Sequence, residues 1–124
     1  MKKKILVVDD EAGLLKMTVL RLEKSGYDAY GALDGREALD VARQKAPDLI
    51  IMDVYLPKMN GDEVAKILKK DSMLKCVPII LISAAVEKLE ALAHVCGAEG
   101  CLPKPFETKE LLGMIGKHLS ARAA

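Results

Sequence analysis

Short apolar runs recur along the chain and alternate with segments in which apolar residues lie three or four positions apart. Residues 5–8, 49–52 and 78–83 form the clearest runs, and they are rich in isoleucine, leucine and valine. Continuous apolar positions over so few residues are typical of parallel strands that are buried on both faces. Residues 28–32 and 99–102 are weaker runs, so the pattern predicts five strands.

A segment with helical spacing follows each predicted strand. Gly26, Pro47 and Gly97 stand where three of these helices would end. Asp34, with Glu37 three positions later, resembles a capping box at the start of the second helix. Strands that alternate with helices in this way predict an α/β fold, in which right-handed crossovers join a parallel, doubly wound sheet.

Length and composition narrow the class of protein. The chain has 124 residues, an ordinary size for one domain, and we expect residues 1–124 to form that domain. Its formal net charge is +1, from 19 basic and 18 acidic residues, so we expect neither nucleic acid nor a membrane as a partner. An aromatic content of 3% without tryptophan argues against base stacking with single-stranded nucleic acid.

The cysteines and the absence of targeting signals favour a reduced, cytoplasmic protein. Cys76, Cys96 and Cys101 form no CxxC pair, and an odd number does not suggest a disulfide framework. We expect them to be buried as small apolar side chains. No apolar segment has the length of a membrane span, and no signal peptide precedes the first strand.

Polar side chains stand where the predicted strands end. Asp9 and Asp10 follow the first strand, Asp53 follows the third, Ser83 ends the fourth, and Lys104 follows the fifth. If the strands are parallel, these groups meet at one edge of the sheet, which is where open α/β sheets bind ligands. The sequence therefore predicts a site that contains three carboxylates, a hydroxyl and an ammonium group.

This set of groups suits phosphoryl chemistry. Carboxylates that crowd together repel one another, and Mg²⁺, which prefers a few hard oxygen ligands, relieves the repulsion. A carboxylate beside that ion can attack phosphorus and form an aspartyl phosphate. Lys104 would then neutralise charge on the phosphoryl oxygens, and Ser83 could donate a hydrogen bond to one of them.

Four motifs, each weak alone, occur together in a specific order and spacing. They are residues 7–11 (VVDDE), 51–61 (IMDVYLPKMNG), 80–84 (ILISA) and 104–106 (KPF). With these motifs the chain resembles the response-regulator receiver domains of two-component signalling over essentially its whole length, and in particular the single-domain, chemotaxis-regulator-like members. The resemblance implies a flavodoxin-like fold with a five-stranded parallel sheet of order 2-1-3-4-5 and five helices.

The resemblance also implies roles for the acids. Asp53 is the phosphoacceptor, which receives a phosphoryl group from a histidine kinase or a phosphotransfer protein. Asp9, Asp10 and Asp53 hold Mg²⁺, helped by the backbone carbonyl of Tyr55. A domain of this kind is a signalling switch and not an enzyme, although it takes part in its own phosphorylation and dephosphorylation.

By the same resemblance, Ser83 and Lys104 bind the phosphoryl group, and the domain signals to a downstream protein through its fourth helix, fifth strand and fifth helix. The family usually carries an aromatic residue three positions before the lysine, and here that position is Cys101. We therefore expect Cys101 to be a switch-face position without the usual ring. The bond between Lys104 and Pro105 matches a step that is cis in the family, and the sequence alone leaves its isomer open.

Three alternatives differ from a single-domain switch. The chain could be the receiver portion of a longer hybrid kinase or multidomain regulator. Haloacid-dehalogenase-like phosphatases also form an aspartyl phosphate, but they place an acid two residues after the nucleophile, where this chain has Tyr55. Flavin binding would suit the fold, but Asp9 and Asp10 make the loop after the first strand acidic, and it would repel a phosphate.

Overall fold

The strands of the sheet occupy the predicted places. The computed structural model of the chain describes residues 1–123. Its strands are β1 Lys4–Val8, β2 Asp28–Ala32, β3 Leu49–Asp53, β4 Ile79–Ser83 and β5 Gly100–Pro103. All neighbouring pairs are parallel, and the strand order is β2-β1-β3-β4-β5. This confirms the predicted parallel sheet and its order.

Five α-helices connect or follow the strands within the described residues. They are α1 Ala12–Lys24, α2 Gly35–Lys45, α3 Gly61–Lys69, α4 Leu89–Cys96 and α5 Thr108–Ala123. A short 3₁₀ turn at Val86–Lys88 precedes α4, and the sequence pattern did not predict it. The number and order of the α-helices agree with the prediction.

The side chains of the sheet divide the core into two layers because alternate residues of a strand point to opposite faces. On one face, Leu6, Ile50 and Leu81 belong to a cluster that includes residues of α2, α3 and α4. On the other face, Ile51 and Ile80 belong to a cluster with residues of α1 and α5. Helices therefore cover both faces, and all five positions of β3 and of β4 are buried. The apolar runs of β3 and β4 are continuous in the sequence because both faces of these strands are covered by helices.

The second helix begins and ends as its residues predict. The Asp34 carboxylate accepts a hydrogen bond of 2.8 Å from the backbone N–H of Glu37, which satisfies a free donor of the first turn. At the other end, Ala46 adopts the left-handed conformation with φ 47°, directly before Pro47. The start and end of α2 are therefore fixed by local interactions.

Two expectations differ in detail from the structure. The last strand begins at Gly100, one residue later than predicted. Glu99 still contacts β4, because its N–H donates to the carbonyl of Ile79 at 2.9 Å and its carboxylate accepts the N–H of Ile79 at 2.8 Å and pairs with Lys69 at 2.7 Å. Cys96 is buried, but Cys76 is exposed, so the expectation that all cysteines are buried is wrong. The loop that contains Cys76 instead buries Leu74 and Val77, which belong to the hydrophobic core.

Among the helices of residues 1–123, none combines the length and the apolar character that a membrane span requires.

Candidate functional site

The structure brings the polar strand ends together at the carboxyl edge, by which we mean the edge of the sheet where the strands end. Asp53 is the last residue of β3 and Ser83 the last of β4, and Lys104 follows β5 directly. Asp9 follows β1, and its backbone N–H donates to Ala32 at the end of β2. The main chain at this edge is thus held by the sheet itself.

Lys104 makes the closest contacts in this group. Its Nζ atom lies 2.7 Å from Asp9 Oδ2 and 2.6 Å from Asp53 Oδ2. Asp9 and Asp53 are buried, with 2% and 7% of their surface exposed. An ammonium group between two buried carboxylates offsets a repulsion that water cannot screen. From the sequence we expect Lys104 to bind the phosphoryl group, and its pairing with both acids was not predicted.

Burial and neighbouring charges shift the pKa values of Asp53 and Lys104 in opposite directions. Burial raises the pKa of the Asp53 carboxyl above its ordinary value, and the charge of Asp9 adds to the rise, whereas Lys104 opposes it. Burial alone would lower the pKa of the Lys104 ammonium, but its hydrogen bonds to Asp53 and Asp9 raise it above the ordinary value. Lys104 therefore stays protonated at neutral pH.

Asp9, Asp10 and Asp53 form a cluster that could hold a metal ion. One carboxylate oxygen from each residue lies within 4.8 Å of the others. All three are hard oxygen donors, which Mg²⁺ prefers, and Asp10 is exposed, so the cluster opens to solvent. The ammonium group of Lys104 between two of these acids shows that the edge accommodates positive charge. The donor set therefore fits Mg²⁺.

Ser83 is buried beside this cluster. Its Oγ atom accepts a hydrogen bond of 3.0 Å from the backbone N–H of Ala85, which leaves the hydroxyl hydrogen available to another acceptor. Its backbone carbonyl accepts the N–H of Lys104 at 2.9 Å. The two residues that the resemblance assigns to the phosphoryl group are therefore tied together through the main chain.

The 54–60 loop leads from the site to α3. The N–H of Tyr55 lies 3.4 Å from Asp53 Oδ1, while the Tyr55 side chain is exposed. Inside the loop, the N–H of Leu56 donates to Asn60 Oδ1 at 3.3 Å. At its end, the N–H of Gly61 donates to the carbonyl of Val54 at 2.7 Å. The loop is thus closed by bonds between its own residues.

Glycine is required at two points around this loop. A Cβ atom at Gly61 would overlap the backbone carbonyl of Asp53, and one at Gly35 would overlap the carbonyl of Met59. Asp34, beside Gly35, forms an ion pair with Lys58 at 3.4 Å. The loop is therefore packed between the end of β3 and the start of α2.

These contacts of the loop were not predictable from the sequence. In the sequence, Asn60 and Gly61 belong to the 51–61 motif, and Asn60 has no predicted function. Asparagine before a helix also predicts an N-cap, but the side chain of Asn60 makes no capping bond. The sequence carries no signal for the bond between Leu56 and Asn60, because this bond depends on the backbone conformation of the loop.

The two open questions at β5 have answers in the structure. The bond between Lys104 and Pro105 is cis. Cys101 is half-buried and packs against the core cluster on the side of α2, α3 and α4. Cys101 therefore places a small thiol side chain in this part of β5.

Solved structures with the same fold define the class of protein. The chemotaxis response regulator CheY4 of Vibrio cholerae superimposes with a TM-score of 0.88, at 34% identity over 95% of this chain and 99% of that one. The signal receiver domain of a signal transduction histidine kinase from Syntrophus aciditrophicus gives a TM-score of 0.88, at 30% identity over 96% and 91%. The chain has the CheY-like, flavodoxin-like fold.

The sequence identifies the family. Residues 5–116 match the response regulator receiver domain, and the chain belongs to this family. Its members are switches in phosphorylation-based signalling and not classical enzymes, and they generally bind Mg²⁺ at an acidic pocket. The cluster of Asp9, Asp10 and Asp53 is consistent with such a pocket.

Curated relatives are longer than this chain. The alkaline phosphatase synthesis transcriptional regulatory protein PhoP of Bacillus subtilis is 43% identical over 112 residues, which are 90% of this chain and 46% of PhoP. The DNA-binding response regulator MtrA of Mycobacterium tuberculosis is 37% identical over 120 residues, which are 96% of this chain and 51% of MtrA. The chain thus spans about half the length of the curated relatives it matches.

Proposed function

We propose that Asp53 is the phosphoacceptor of this receiver domain and takes its phosphoryl group from a histidine kinase or a phosphotransfer protein. The observation that carries this proposal is the placement of Asp53. It is the acid that ends the central strand β3, and it lies 2.6 Å from the Lys104 ammonium and within the three-acid cluster.

The chemistry follows from these contacts. An Asp53 carboxylate oxygen attacks the phosphorus atom of a phosphohistidine, so a P–O bond forms while the P–N bond breaks. The imidazole nitrogen of the donor keeps the bonding electrons and takes a proton from solvent. Lys104 favours the ionised form of the Asp53 carboxyl and so opposes burial, which raises its pKa, and ionisation is necessary for its attack.

Asp9, Asp10 and Asp53 would hold Mg²⁺, with the backbone carbonyl of Tyr55 as a further ligand. When bound, the ion supplies positive charge to the phosphoryl oxygens during transfer. Asp10 is the exposed member, so it is the first of the three that an incoming hydrated ion would meet. Asp9 is fixed by the N–H of Glu11, which donates to its Oδ1 atom at 3.0 Å.

After transfer, Ser83 and Lys104 would bind the phosphoryl oxygens. The free hydroxyl hydrogen of Ser83 is a suitable donor, and Lys104 supplies a compact positive charge. Because the N–H of Lys104 is bonded to the carbonyl of Ser83, movement of either residue affects the other. Both lead to the surface formed by α4, β5 and α5, through which we propose that the domain meets a downstream protein.

The receiver domain would comprise residues 1–124 and act through protein contacts. A second candidate is the receiver portion of a longer protein, and the relatives favour it because the chain spans about half of their length. In that case an additional domain would produce the response to phosphorylation. MtrA, for example, is named a DNA-binding response regulator. Measurement of the natural chain's mass in cell extracts distinguishes the two candidates.

Intact-mass spectrometry after incubation with an acyl phosphate and Mg²⁺ tests the phosphoacceptor. We expect the mass of one phosphoryl group to be added to the parent chain. Asp53→Asn keeps the shape of the side chain and removes the nucleophile, so it should gain no mass. Asp40→Asn, which changes an exposed acid on α2, is the matched control and should be phosphorylated like the parent. Undiminished addition to Asp53→Asn would refute the assignment.

A further inference from the structure

Asn60 stands directly before α3 but does not use its side chain as a helix cap. Asparagine at this position usually accepts an N–H of the first helical turn. Here no such bond forms, and Oδ1 instead accepts the N–H of Leu56 at 3.3 Å, four residues back in the 54–60 loop. The side chain therefore acts on the loop and not on the helix.

The partner of Asn60 belongs to the peptide group that contains the Tyr55 carbonyl. A trans peptide group is planar, and its C=O and N–H bonds point in opposite directions. Among residues 1–123 the cis bond is between Lys104 and Pro105, so the bond between Tyr55 and Leu56 is trans. When Asn60 holds the Leu56 N–H, it also fixes the direction of the Tyr55 carbonyl.

We propose that Asn60 is a positioning residue for Mg²⁺, which it orients through the Leu56 N–H and the Tyr55 carbonyl. This inference rests on the proposed function, in which that carbonyl is a metal ligand. The groups that orient a metal ligand are typically worth about 10- to 100-fold in metal affinity.

The surroundings of the loop explain why a single hydrogen bond is decisive. The bond from the Gly61 N–H to the carbonyl of Val54 joins the two ends of the loop, and the bond from the Gly35 N–H to the carbonyl of Pro57 at 3.3 Å holds its middle. Tyr55 is exposed and packs little against the core. The main motion that remains open to the loop is rotation of the peptide group between Tyr55 and Leu56. The hydrogen bond from the Leu56 N–H to Asn60 prevents this rotation.

Three variants separate this role from a general contribution to folding. Asn60→Ser replaces the amide by a hydroxyl that is too short to reach Leu56 but is a preferred N-cap, so α3 keeps its start. Asn60→Asp retains an acceptor at the same position. Val77→Ala removes buried methyl groups near the opposite edge of the sheet and serves as a destabilised control outside the loop.

Mg²⁺ affinity is measured by calorimetric titration, and urea unfolding without Mg²⁺ gives the stability of each variant. We expect Asn60→Ser to bind Mg²⁺ about tenfold more weakly than the parent. Asn60→Asp and Val77→Ala should bind close to the parent value. Amide NMR spectra provide a second readout: Mg²⁺ on the Tyr55 carbonyl polarises the peptide and should shift the Leu56 nitrogen in the parent but much less in Asn60→Ser.

The outcomes distinguish this inference from the proposed function. Parent-like Mg²⁺ affinity in Asn60→Ser would overturn the positioning role while leaving the metal site intact. An equal loss in Val77→Ala would show that stability alone controls the affinity and would overturn it as well. A parent chain that binds no Mg²⁺ would overturn the metal site itself, and this inference with it.

Discussion

The organisation of the site depends on Lys104, because its ammonium group neutralises the two buried acids Asp9 and Asp53. Removing one partner from a buried ion pair is strongly destabilising, since the other partner keeps an uncompensated charge. In this site the uncompensated charges would be those of Asp9 and Asp53. A divalent ion at the same acids could replace the charge of the lysine.

We therefore predict that Lys104→Met lowers the free energy of unfolding by roughly 3 kcal/mol in the absence of Mg²⁺. Saturating Mg²⁺ should recover most of this loss, because the ion binds the folded chain at the cluster of Asp9, Asp10 and Asp53. Urea unfolding with and without Mg²⁺ measures both effects. Lys69→Met is the matched control, since Lys69 pairs with Glu99 at 2.7 Å away from the carboxyl edge. Equal recovery in Lys69→Met would contradict the explanation.

The cap of α2 predicts a pH dependence of stability. The hydrogen bond from the Glu37 N–H holds the pKa of the Asp34 carboxyl below its ordinary value, with burial opposing it and the charge of Lys58 supporting it. Because the folded pKa is lower than the unfolded one, the ionised carboxylate stabilises the fold above the unfolded pKa. That contribution is lost as the pH falls through the folded pKa.

Asp34→Ala should accordingly be less stable than the parent at neutral pH, and the difference should shrink in acid. Urea unfolding from about pH 7 to about pH 3 covers the titration of this carboxyl. Asp34→Asn keeps a neutral cap, so it should lose less at neutral pH and should converge with the parent in acid. A gap between Asp34→Ala and the parent that does not change with pH would count against the ionised cap.

Among the secondary-structure elements, those with strong local patterns could be predicted and those set by distant contacts could not. The runs at β3 and β4 are apolar throughout because helices cover both faces of the sheet. The first residue of β5 was predicted one position too early, and the contacts of Glu99 at this point are with Ile79, which is 20 positions away. In the same way, acids at strand ends were predictable from topology, whereas the bond between Leu56 and Asn60 depends on loop angles such as φ 67° at Lys58.

The glycines of α5 and α3 lead to opposite predictions. A Cβ atom at Gly113 would meet no atom within 4 Å, so the glycine only weakens α5. Gly113→Ala should raise the free energy of unfolding by about 1 kcal/mol, the difference in helix propensity. Gly61→Ala should instead destabilise the fold, because its Cβ would overlap the Asp53 carbonyl. Urea midpoints of both variants test this, and a destabilised Gly113→Ala would show that the position has a hidden contact.

For the whole molecule, the question is how far a change at Asp53 extends. The carbonyl of Ser83 and the N–H of Lys104 are bonded at 2.9 Å, so the ends of β4 and β5 should move together. Cys101 offers less bulk than a ring, and we expect the loop after Ser83 to carry most of the change. Couplings between sites of this kind are typically about 1–3 kcal/mol, which shifts populations without unfolding.

With a phosphoryl mimic and Mg²⁺, we predict backbone NMR shifts from Ser83 through α4 and around Cys101. Asp53→Asn under the same conditions is the control and should show no such changes, because it lacks the carboxylate that the mimic needs. Shifts that stop at the residues in contact with the mimic would exclude the surface of α4, β5 and α5 as the output.

The ion pair between Lys104 and Asp9 joins residues that are 95 positions apart. During synthesis, the chain therefore presents both buried acids long before it presents the lysine that neutralises them. A nascent chain holds the acids without their counter-ion, and a cut anywhere between Asp53 and Lys104 would divide the site between two fragments. Neither fragment could rebuild it alone, so recovery of the paired site would report that the two had reassociated into one sheet.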